Sequence, residues 1–436
     1  MTVTITNLGG SDTTGVAINN NGQIVGDSTM ASGADDAFLW RNGTISDLGR
    51  LSGDSDSAAT AINNQGQVVG VSSTVPMGVG GSYHAVIWQN GTTTALTSLQ
   101  ESSQANAINS LGQVVGVHDL TTGASEAFFW QNGTLTDLGW LPGVTSQSVA
   151  SESVADGIND AGQIVGRSRT AQGDTHAVLW QNSTITDLGG LASSYYGEAL
   201  AINAKGQIVG DSSFSNNSYN THAVSWQNGT ITDLGTLSGD DTSGAVAIDS
   251  AGDIVGWAGL STGGVNHAVM WQNGKIVDLN SLLPANSGWT LYSASNIDDL
   301  GQIVGTGSFN GTYGSYVLTL GGTTVVTSAA QSLIESFQAG GTTTIVSVLA
   351  DSSADIAAHL DGLQAVAVAG KLSITLTDSG TSTPTLAVAA AQLVADASAI
   401  NAITTPHTLS VAGVSSAVAT FTVQQDASGR GSGGIN

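Results

Sequence analysis

The sequence predicts an all-β fold over residues 1–320: a seven-bladed β-propeller of four-stranded antiparallel blades, closed by its N-terminal strand. Three observations lead to this prediction. One sequence block recurs seven times, and a second block with a turn of type Asn-Gly or Asn-Ser follows the first six copies. The strand that is missing from the seventh copy stands at the start of the chain.

The first block, AINNNGQIVG at residues 17–26, recurs at intervals of about 44 to 50 residues. Its first glycine marks the copies: Gly22, Gly66, Gly112, Gly162, Gly206, Gly252 and Gly301. Units of this length that contain four short strands are typical of propeller blades.

Each copy is expected to contain strands a to d. In the first copy AIN is strand a, QIVG is b, AFLW is c and TISDL is d. Strands c and d are joined by Asn42-Gly43. An Asn-Gly pair between alternating apolar runs indicates a hairpin, because a type I′ turn needs positive φ at both positions. Repeated hairpins predict an antiparallel meander.

The seventh copy ends at GSYVLTL (314–320) and lacks strand d, whereas TITNLGG (4–10) matches TITDLGG (184–190). We therefore expect residues 3–8 to supply strand d of blade seven and to cover its open sheet edge. The segment TTVVT (323–327) is the alternative.

The pattern AIN-x-x-GQIVG, HAFLW-x-NG, DLG-x-L resembles the bacterial HAF-repeat family of extracellular repeat proteins, over residues 1–320. The resemblance implies export and a propeller-like fold. It implies no catalytic activity and transfers no site residue.

One tryptophan recurs at the end of strand c. Six indoles at one repeat position could form a ligand cage, but ring symmetry keeps equivalent positions apart, so we expect core residues that pack blade on blade. They are Trp40, Trp88, Trp130, Trp180, Trp226 and Trp271.

A histidine recurs at the start of strand c and is expected to be structural, hydrogen-bonded to the aspartate of strand d. The residues are His84, His176, His222 and His267, with Asp187, Asp233 and Asp278 as partners of the last three. Equivalent positions cannot converge on one metal ion unless they line the central channel, so no metal site is expected. Asp36 and Glu126 replace the histidine in blades one and three, so the network is not universal.

Strand direction places the a–b and c–d turns on one face of the disk, the short-turn face, and the b–c and d–a loops on the other, the long-loop face. Function concentrates on variable loops. Aromatic rings stack on sugars while carboxylates accept hydroxyl hydrogens. The candidate ligand-binding residues on the long-loop face are Trp140, Tyr195, Tyr196, Glu198, Asp240, Asp241, Trp257 and Trp289. The alternative is that they belong to ordinary solvated loops with a few packed rings.

Composition excludes several classes of function. The chain has 8 Lys and Arg against 33 Asp and Glu, a net charge of −25, which argues against nucleic acid and anionic lipid as partners. It has no cysteine, and no apolar run long enough to insert into a membrane. No catalytic motif is present, so the sequence predicts a non-enzymatic protein without catalytic residues.

No cofactor is predicted. The turn from Asp249 to Asp253 superficially resembles a Ca²⁺ loop, but its sister turns carry Asn, Ser or Gln. Ca²⁺ is therefore not supported by a specific motif.

The start, MTVTITNLGG, lacks the basic and apolar regions of a Sec signal peptide. The chain is then cytoplasmic, exported by a route read at its C-terminus, or a fragment. Its acidic, cysteine-free composition favours export, so we expect an extracellular or cell-surface location.

After residue 320 we expect a linker (321–345), an Ala-rich α/β module (346–425) and a disordered tail (426–436). The module is expected to contain helices at 352–370 and 386–403, and strands at 371–378 and 408–423. Its motifs IAAHLDGLQ and ITLTDSG resemble Ala-rich modules of large secreted bacterial repeat proteins, which implies a spacer or stalk.

These patterns predict a secreted or surface non-enzymatic protein whose long-loop face binds an extracellular ligand. A glycan is the preferred ligand and a protein is the second choice. The protein is expected to be part of a larger surface assembly. One alternative is a structural stalk or matrix element without a specific ligand. A second is a polysaccharide hydrolase or lyase.

Overall fold

The computed structural model describes residues 2–321, except 10, 31–32, 77–80, 98–101, 145–150, 192–193 and 215–219, and strands at 347–351, 372–376, 385–389, 407–412, 419–425 and 431–435. The chain divides into two compact units, Met1–Leu320 and Gly321–Asn436. The first unit is a seven-bladed β-propeller in which every blade is a four-stranded antiparallel sheet, as predicted.

The blades share one order of strands, a-b-c-d. Strand a comprises β2 (Ser11–Ile18), β6 (Asp56–Ile62), β10 (Ser103–Ile108), β14 (Ser153–Ile158), β18 (Gly197–Ile202), β22 (Thr242–Ile248) and β26 (Trp289–Ile297). Strand b comprises β3 (Ile24–Thr29), β7 (Val68–Ser73), β11 (Val114–Asp119), β15 (Ile164–Arg169), β19 (Ile208–Ser213), β23 (Ile254–Gly259) and β27 (Gln302–Phe309).

Strand c comprises β4 (Asp35–Arg41), β8 (Tyr83–Gln89), β12 (Ser125–Gln131), β16 (Thr175–Gln181), β20 (Thr221–Gln227), β24 (His267–Gln272) and β28 (Thr312–Gly321). Strand d comprises β5 (Thr44–Asp47), β9 (Thr92–Ala95), β13 (Thr134–Asp137), β17 (Thr184–Asp187), β21 (Thr230–Asp233), β25 (Lys275–Asp278) and, for blade seven, β1 (Thr2–Asn7). A 3-10 helix, Leu279–Leu282, follows β25.

The c–d hairpins have the expected geometry. Asn42 and Gly43 have φ of 50° and 80°, and in blade four Asn182 and Ser183 have φ of 51° and 61°. Both positions of each turn are left-handed, as a type I′ turn requires.

The N-terminal strand closes the ring, which confirms the prediction. Strand β1 is the outer strand of blade seven, next to β28, and the Leu8 N–H donates to the Ser315 carbonyl at 3.1 Å. Leu8 is 4% exposed, in a cluster with residues of blades one and seven. Val3 and Ile5 pack against the core of blade seven. The alternative segment, 323–327, lies outside the described residues.

Neighbouring blades share hydrophobic clusters, to which the repeat tryptophan contributes. Four of these side chains are buried and those of Trp40 and Trp130 are half-buried. The Trp88 indole N–H donates across the blade boundary to the Gly49 carbonyl at 2.9 Å, and the Trp226 N–H to the Gly189 carbonyl at 3.1 Å. The tryptophans therefore pack blade on blade.

The expected His–Asp hydrogen bonds form in blades four and five, whereas the blade-six pair lies beyond hydrogen-bond distance. The distances are 2.7 Å for His176–Asp187, 2.9 Å for His222–Asp233 and 3.7 Å for His267–Asp278. In blade two His84 contacts Asp54 at 3.0 Å, because Ala95 offers no acceptor. In blade one Asp36 binds Arg50 at 2.7 Å.

The second unit differs from the prediction in three places. The predicted strand 408–423 is two antiparallel strands, β32 (His407–Ala412) and β33 (Ala419–Gln425). Strand β31 (Thr385–Ala389) occupies the start of the predicted helix 386–403, and β34 (Gly431–Ile435) lies in the predicted disordered tail. A short apolar run fits helix and strand equally by periodicity, and pairing with neighbouring strands decides for strand.

The other strands of this unit are β29 (Ser347–Asp351), parallel to β30 (Leu372–Leu376), and β32 (His407–Ala412) and β33 (Ala419–Gln425), which form one sheet with β31 and β34. The predicted linker and the predicted helix 352–370 lie outside the described residues. None of the helices in the described part of the chain has the length and hydropathy that a membrane span requires.

Candidate functional site: a groove between blades six and seven

A groove of about 650 Å³ lies on the long-loop face between blades six and seven. Blade six contributes Val265 from its b–c loop, His267 from the start of β24 and Asp278 from the end of β25. The d–a connection and the start of β26 supply the rest of the lining. In blade seven β27 and β28 are joined by the two-residue turn Asn310-Gly311, so no long b–c loop of this blade covers the groove.

One wall of the groove is fixed by the amide of Asn280 in the 3-10 helix. Its side-chain nitrogen donates to the Leu291 carbonyl at 2.9 Å, and its oxygen accepts from the Leu291 N–H at 2.7 Å. The Asp278 carboxylate caps the same helix by accepting from the Asn280 N–H at 2.8 Å. These bonds hold the d–a connection against β26.

The aromatic part of the wall comes from Trp289 and Tyr292. Trp289 is only 8% exposed, because its ring packs on Phe309 (5.2 Å between centroids) and edge-on to Tyr316 (5.9 Å). The β26–β27 register shifts between Leu291 and Ser293, so Tyr292 sits in a β-bulge. A bulge re-aims a side chain, and the half-buried Tyr292 lines the groove.

The polar part of the wall is the His–Asp pair of blade six. Its separation of 3.7 Å is wider than in blades four and five, and 45% of the His267 side chain and 28% of the Asp278 side chain are exposed. Asn286, in the left-handed region at φ 64°, adds an amide to the lining. An aromatic wall that faces a carboxylate, an amide and an imidazole can stack on a ligand and hydrogen-bond to it.

The structure does not bring the eight sequence-predicted ligand residues together. Trp289 alone among them lines the groove, and it is a buried residue at the start of β26 and not part of a solvated loop. The half-buried Trp257 ring lies against Gly244 within blade six. The half-buried Trp140 donates its indole N–H to the Ser125 carbonyl at 3.2 Å. Tyr195 and Tyr196 lie in the blade four–five connection, Asp240 and Asp241 lie in the five–six connection, and Glu198 lies in strand β18.

The residues in these two connections differ in their exposure to solvent. Tyr195 is 50% exposed. Asp241 is exposed and accepts from the Ser261 N–H (2.6 Å) and hydroxyl (2.7 Å), bonds that lower its carboxyl pKa. Asp240 is half-buried, in a turn closed by its N–H and the Leu237 carbonyl at 3.1 Å.

Tyr196 and Glu198 belong to an ion cluster around Arg167. The guanidinium lies 3.3 Å from the Glu152 carboxylate and 3.5 Å from that of Asp156, and it contacts Glu198. The Tyr196 hydroxyl donates to Glu198. Three carboxylates share one cation, and burial together with Glu198 raises the pKa of Asp156 to about 7.

The raised pKa of Asp156 predicts a pH-dependent stability. An aspartate in the unfolded chain titrates near ~4, so between about pH 4 and 7 the folded state holds the extra proton. The unfolding free energy should therefore fall as pH rises through this window. Asp156→Asn should reduce this decline in the unfolding free energy, measured by urea denaturation at pH 5, 6, 7 and 8. Asp47→Asn, which changes an exposed aspartate, should leave the decline unchanged. Equal slopes for all three proteins would contradict this assignment.

A second polar cluster lies in blade three, where the His–Asp pair is rearranged. Glu126 takes the place of the repeat histidine, and His118 from β11 contacts Asp137 at 3.1 Å instead. Ligand atoms of these three residues lie within 4.8 Å of one another. The repeat alignment identified Glu126 but gave no signal for His118, which lies on another strand.

Comparison with known proteins yields similarity of fold only. No family model and no curated protein matches the chain. Similar solved structures include TolB from Acinetobacter baumannii, with 11% identity, a TM-score of 0.36, and 58% of this chain and 63% of that chain covered. The chain thus spans less than two thirds of that TolB chain.

Two other similar structures are the β-propeller domain of the Trilobed protease from Pyrococcus furiosus and the gluconolactonase XC5397 from Xanthomonas campestris. The first has 11% identity and a TM-score of 0.42, with 62% and 83% of the two chains covered. The second has 13% identity and a TM-score of 0.36, with 73% and 90% covered.

Proposed function

We propose that this chain is a secreted or surface-displayed, non-enzymatic repeat protein whose propeller binds an extracellular glycan in the groove between blades six and seven. The observation that carries the proposal is the lining of that groove, in which Trp289 and Tyr292 stand with Asp278, His267 and Asn286 around about 650 Å³. This volume lies within the range of about 300–1,000 Å³ of small-ligand sites.

The chemistry of the lining favours a sugar. Sugar rings have apolar C–H faces that stack on aromatic side chains and hydroxyl edges that need acceptors and donors. Tyr292 offers the ring, the Asp278 carboxylate accepts, and the His267 imidazole and Asn286 amide both donate and accept. Trp289 packs on Phe309 and Tyr316 and forms the fixed apolar part of the groove wall.

Net charge narrows the class of glycan. A chain with 33 acidic and 8 basic residues repels polyanions over its whole surface. The groove contains a carboxylate and no lysine or arginine among its described lining residues. A neutral or amino-sugar glycan therefore fits better than a uronate-rich or sulfated one.

Surface display rests on the sequence. The repeat resembles extracellular HAF-repeat proteins, and the residues after 320 resemble spacer modules of secreted bacterial proteins. A spacer that holds a binding propeller away from a cell agrees with a glycan ligand, and it also agrees with the alternative of a structural stalk.

A glycan array probed with the full chain tests this proposal, followed by titration of the best hit into three proteins. Tyr292→Ala should weaken binding at least tenfold by removing the stacking ring, while Tyr195→Ala, an exposed tyrosine outside the groove, should bind like the wild type. Circular dichroism of each variant controls for folding.

Other outcomes select the alternatives. An array without a hit at high micromolar concentrations favours the stalk, and release of cleaved products from a bound polymer favours the hydrolase or lyase. Equal binding by Tyr292→Ala and the wild type would move the ligand site out of the groove.

A further inference from the structure

A ring of side-chain amides joins the blades on the short-turn face. In five blades the asparagine that follows strand a donates its side-chain N–H to the backbone carbonyl of the equivalent residue in the next blade. The bonds measure 2.9 to 3.1 Å and start from Asn19, Asn63, Asn109, Asn159 and Asn203. The amide oxygen stays within its own turn: that of Asn63 accepts from the N–H groups of Gln65 and Gln67.

Blades six and seven carry aspartate at this position, Asp249 and Asp298. The Asp298 Oδ1 atom accepts from the N–H groups of Leu300 (3.0 Å) and Gln302 (2.7 Å), as the asparagine oxygens do. Its Oδ2 atom therefore stands where the other blades have the donating nitrogen. Asp298 is 3% exposed, and within the described part of the chain its buried Oδ2 has no hydrogen-bond partner.

The repeat geometry directs this oxygen at blade one. Blades seven and one are in contact here, since the Asp299 N–H donates to the Asn20 side chain at 3.1 Å and the Asn20 amide returns a bond at 2.8 Å. In the other blades the ring nitrogen meets a carbonyl. By analogy with the ring asparagines, we infer that an aspartate oxygen replaces the donating nitrogen at Asp298 and Asp249. It would then face the next ring carbonyl, that of Asn19 or of Asp298, with no hydrogen to donate.

Both aspartates line a cavity of about 320 Å³ to which all seven blades contribute. Asp160 and Asp299 add two further carboxylates to its wall. Among the adjoining turns, Lys205 supplies an ammonium group, which donates to the Ala251 carbonyl at 3.2 Å.

We propose that this cavity binds a divalent cation of the Ca²⁺ type, with the carboxylates of Asp298 and Asp249 as its protein ligands. Ca²⁺ takes six to eight oxygen ligands, carboxylates, carbonyls and waters, at about 2.3–2.6 Å. The break in the amide ring supplies carboxylates and carbonyls side by side. The cation takes the place of the two amide hydrogens that the ring lacks and removes the repulsion between the carboxylates. The site lies on the face opposite the groove, so it is independent of the glycan proposal.

Asp298→Asn tests the site, because it restores the residue that five blades already carry. Calorimetric titration of CaCl₂ into the chelator-treated full chain should reveal a saturable site that Asp298→Asn weakens at least tenfold. Asp249→Asn should weaken it as well. Asp47→Asn removes the same charge from the end of β5, on the other face, and should bind Ca²⁺ like the wild type.

Thermal melting supplies the second measurement. Ca²⁺ should raise the melting temperature of the wild type but not that of Asp298→Asn, and without Ca²⁺ the variant should melt above the wild type because its amide closes the ring. Ca²⁺ shifts of equal size in the wild type, Asp298→Asn and Asp47→Asn would show general screening of the acidic surface and overturn the proposal. It is also overturned if Ca²⁺ gives no saturable heat signal and leaves the melting temperature of the wild type unchanged.

Discussion

Deletion of residues 2–9 is expected to lower the melting temperature by roughly 10 °C or more and to make the protein aggregate. The deletion removes β1, so β28 becomes an exposed edge that can pair with another chain. It also removes Leu8, 4% exposed, and the apolar contacts of Val3 and Ile5. Burial of Leu8 contributes about 1.5–3 kcal/mol, the partly buried Val3 and Ile5 contribute less each, and the strand pairing with β28 is lost as well.

The control for this deletion is removal of residues 323–327, the other sequence candidate for the closing strand. That variant should melt like the full chain and elute at the same volume by size-exclusion chromatography. If the N-terminal deletion melts normally and elutes at the same volume as the full chain, β1 is not the strand that closes the ring.

Trp226→Ala is expected to destabilise the propeller by about 3–5 kcal/mol in chemical denaturation, as other large-to-small core changes do. Trp226 is 2% exposed in the cluster between blades four and five, and its indole N–H donates to the Gly189 carbonyl at 3.1 Å. Alanine leaves a cavity at the blade boundary and an unpaired carbonyl. A loss below about 1 kcal/mol would show that this position is not core.

A phenylalanine pair separates packing from hydrogen bonding at the same repeat position. Trp180 is 4% exposed, but within the described residues its indole nitrogen has no hydrogen-bond partner. Trp226→Phe loses a bond that Trp180→Phe never had, so it should cost about 1 kcal/mol more. Equal costs would mean that the bond to Gly189 contributes nothing to stability.

The repeat made the propeller predictable from the sequence. The strand-d sequence is absent after residue 320 and present at the start of the chain as TITNLGG, which identified the closing strand. The Asn-Gly pairs identified the hairpins. These signals are local or recur seven times, so a single sequence was enough to read them.

The groove was not predictable in the same way. Its lining comes from connections that occur once, and its shape depends on a bulge at Tyr292 and on Asn280 bonding to Leu291. Trp289 was expected in an exposed loop, but β26 begins there and the ring packs on Phe309 and Tyr316. Ala at this position should therefore cost as much as at the core tryptophans.

The ring of side-chain amides was also not predictable from the sequence, for a different reason. The change from Asn to Asp at 249 and 298 is visible in the repeat alignment, but the carbonyl that each ring asparagine binds lies in the next blade. A pattern within one repeat does not reveal a bond between repeats. The helix predicted at 386–403 is wrong over residues 386–389, which form part of β31, because short apolar segments fit helix and strand equally.

Hydrogen–deuterium exchange of the full chain, with and without the tightest-binding oligosaccharide from the array, tests the ligand site most directly. Binding in the groove should slow amide exchange in residues 263–267 and 284–292, where the backbone borders the groove, and should leave the a–b turns of the opposite face unchanged. Protection confined to the short-turn face or to the connections of blades three to five, with residues 284–292 exchanging as in the free protein, would contradict a glycan site between blades six and seven.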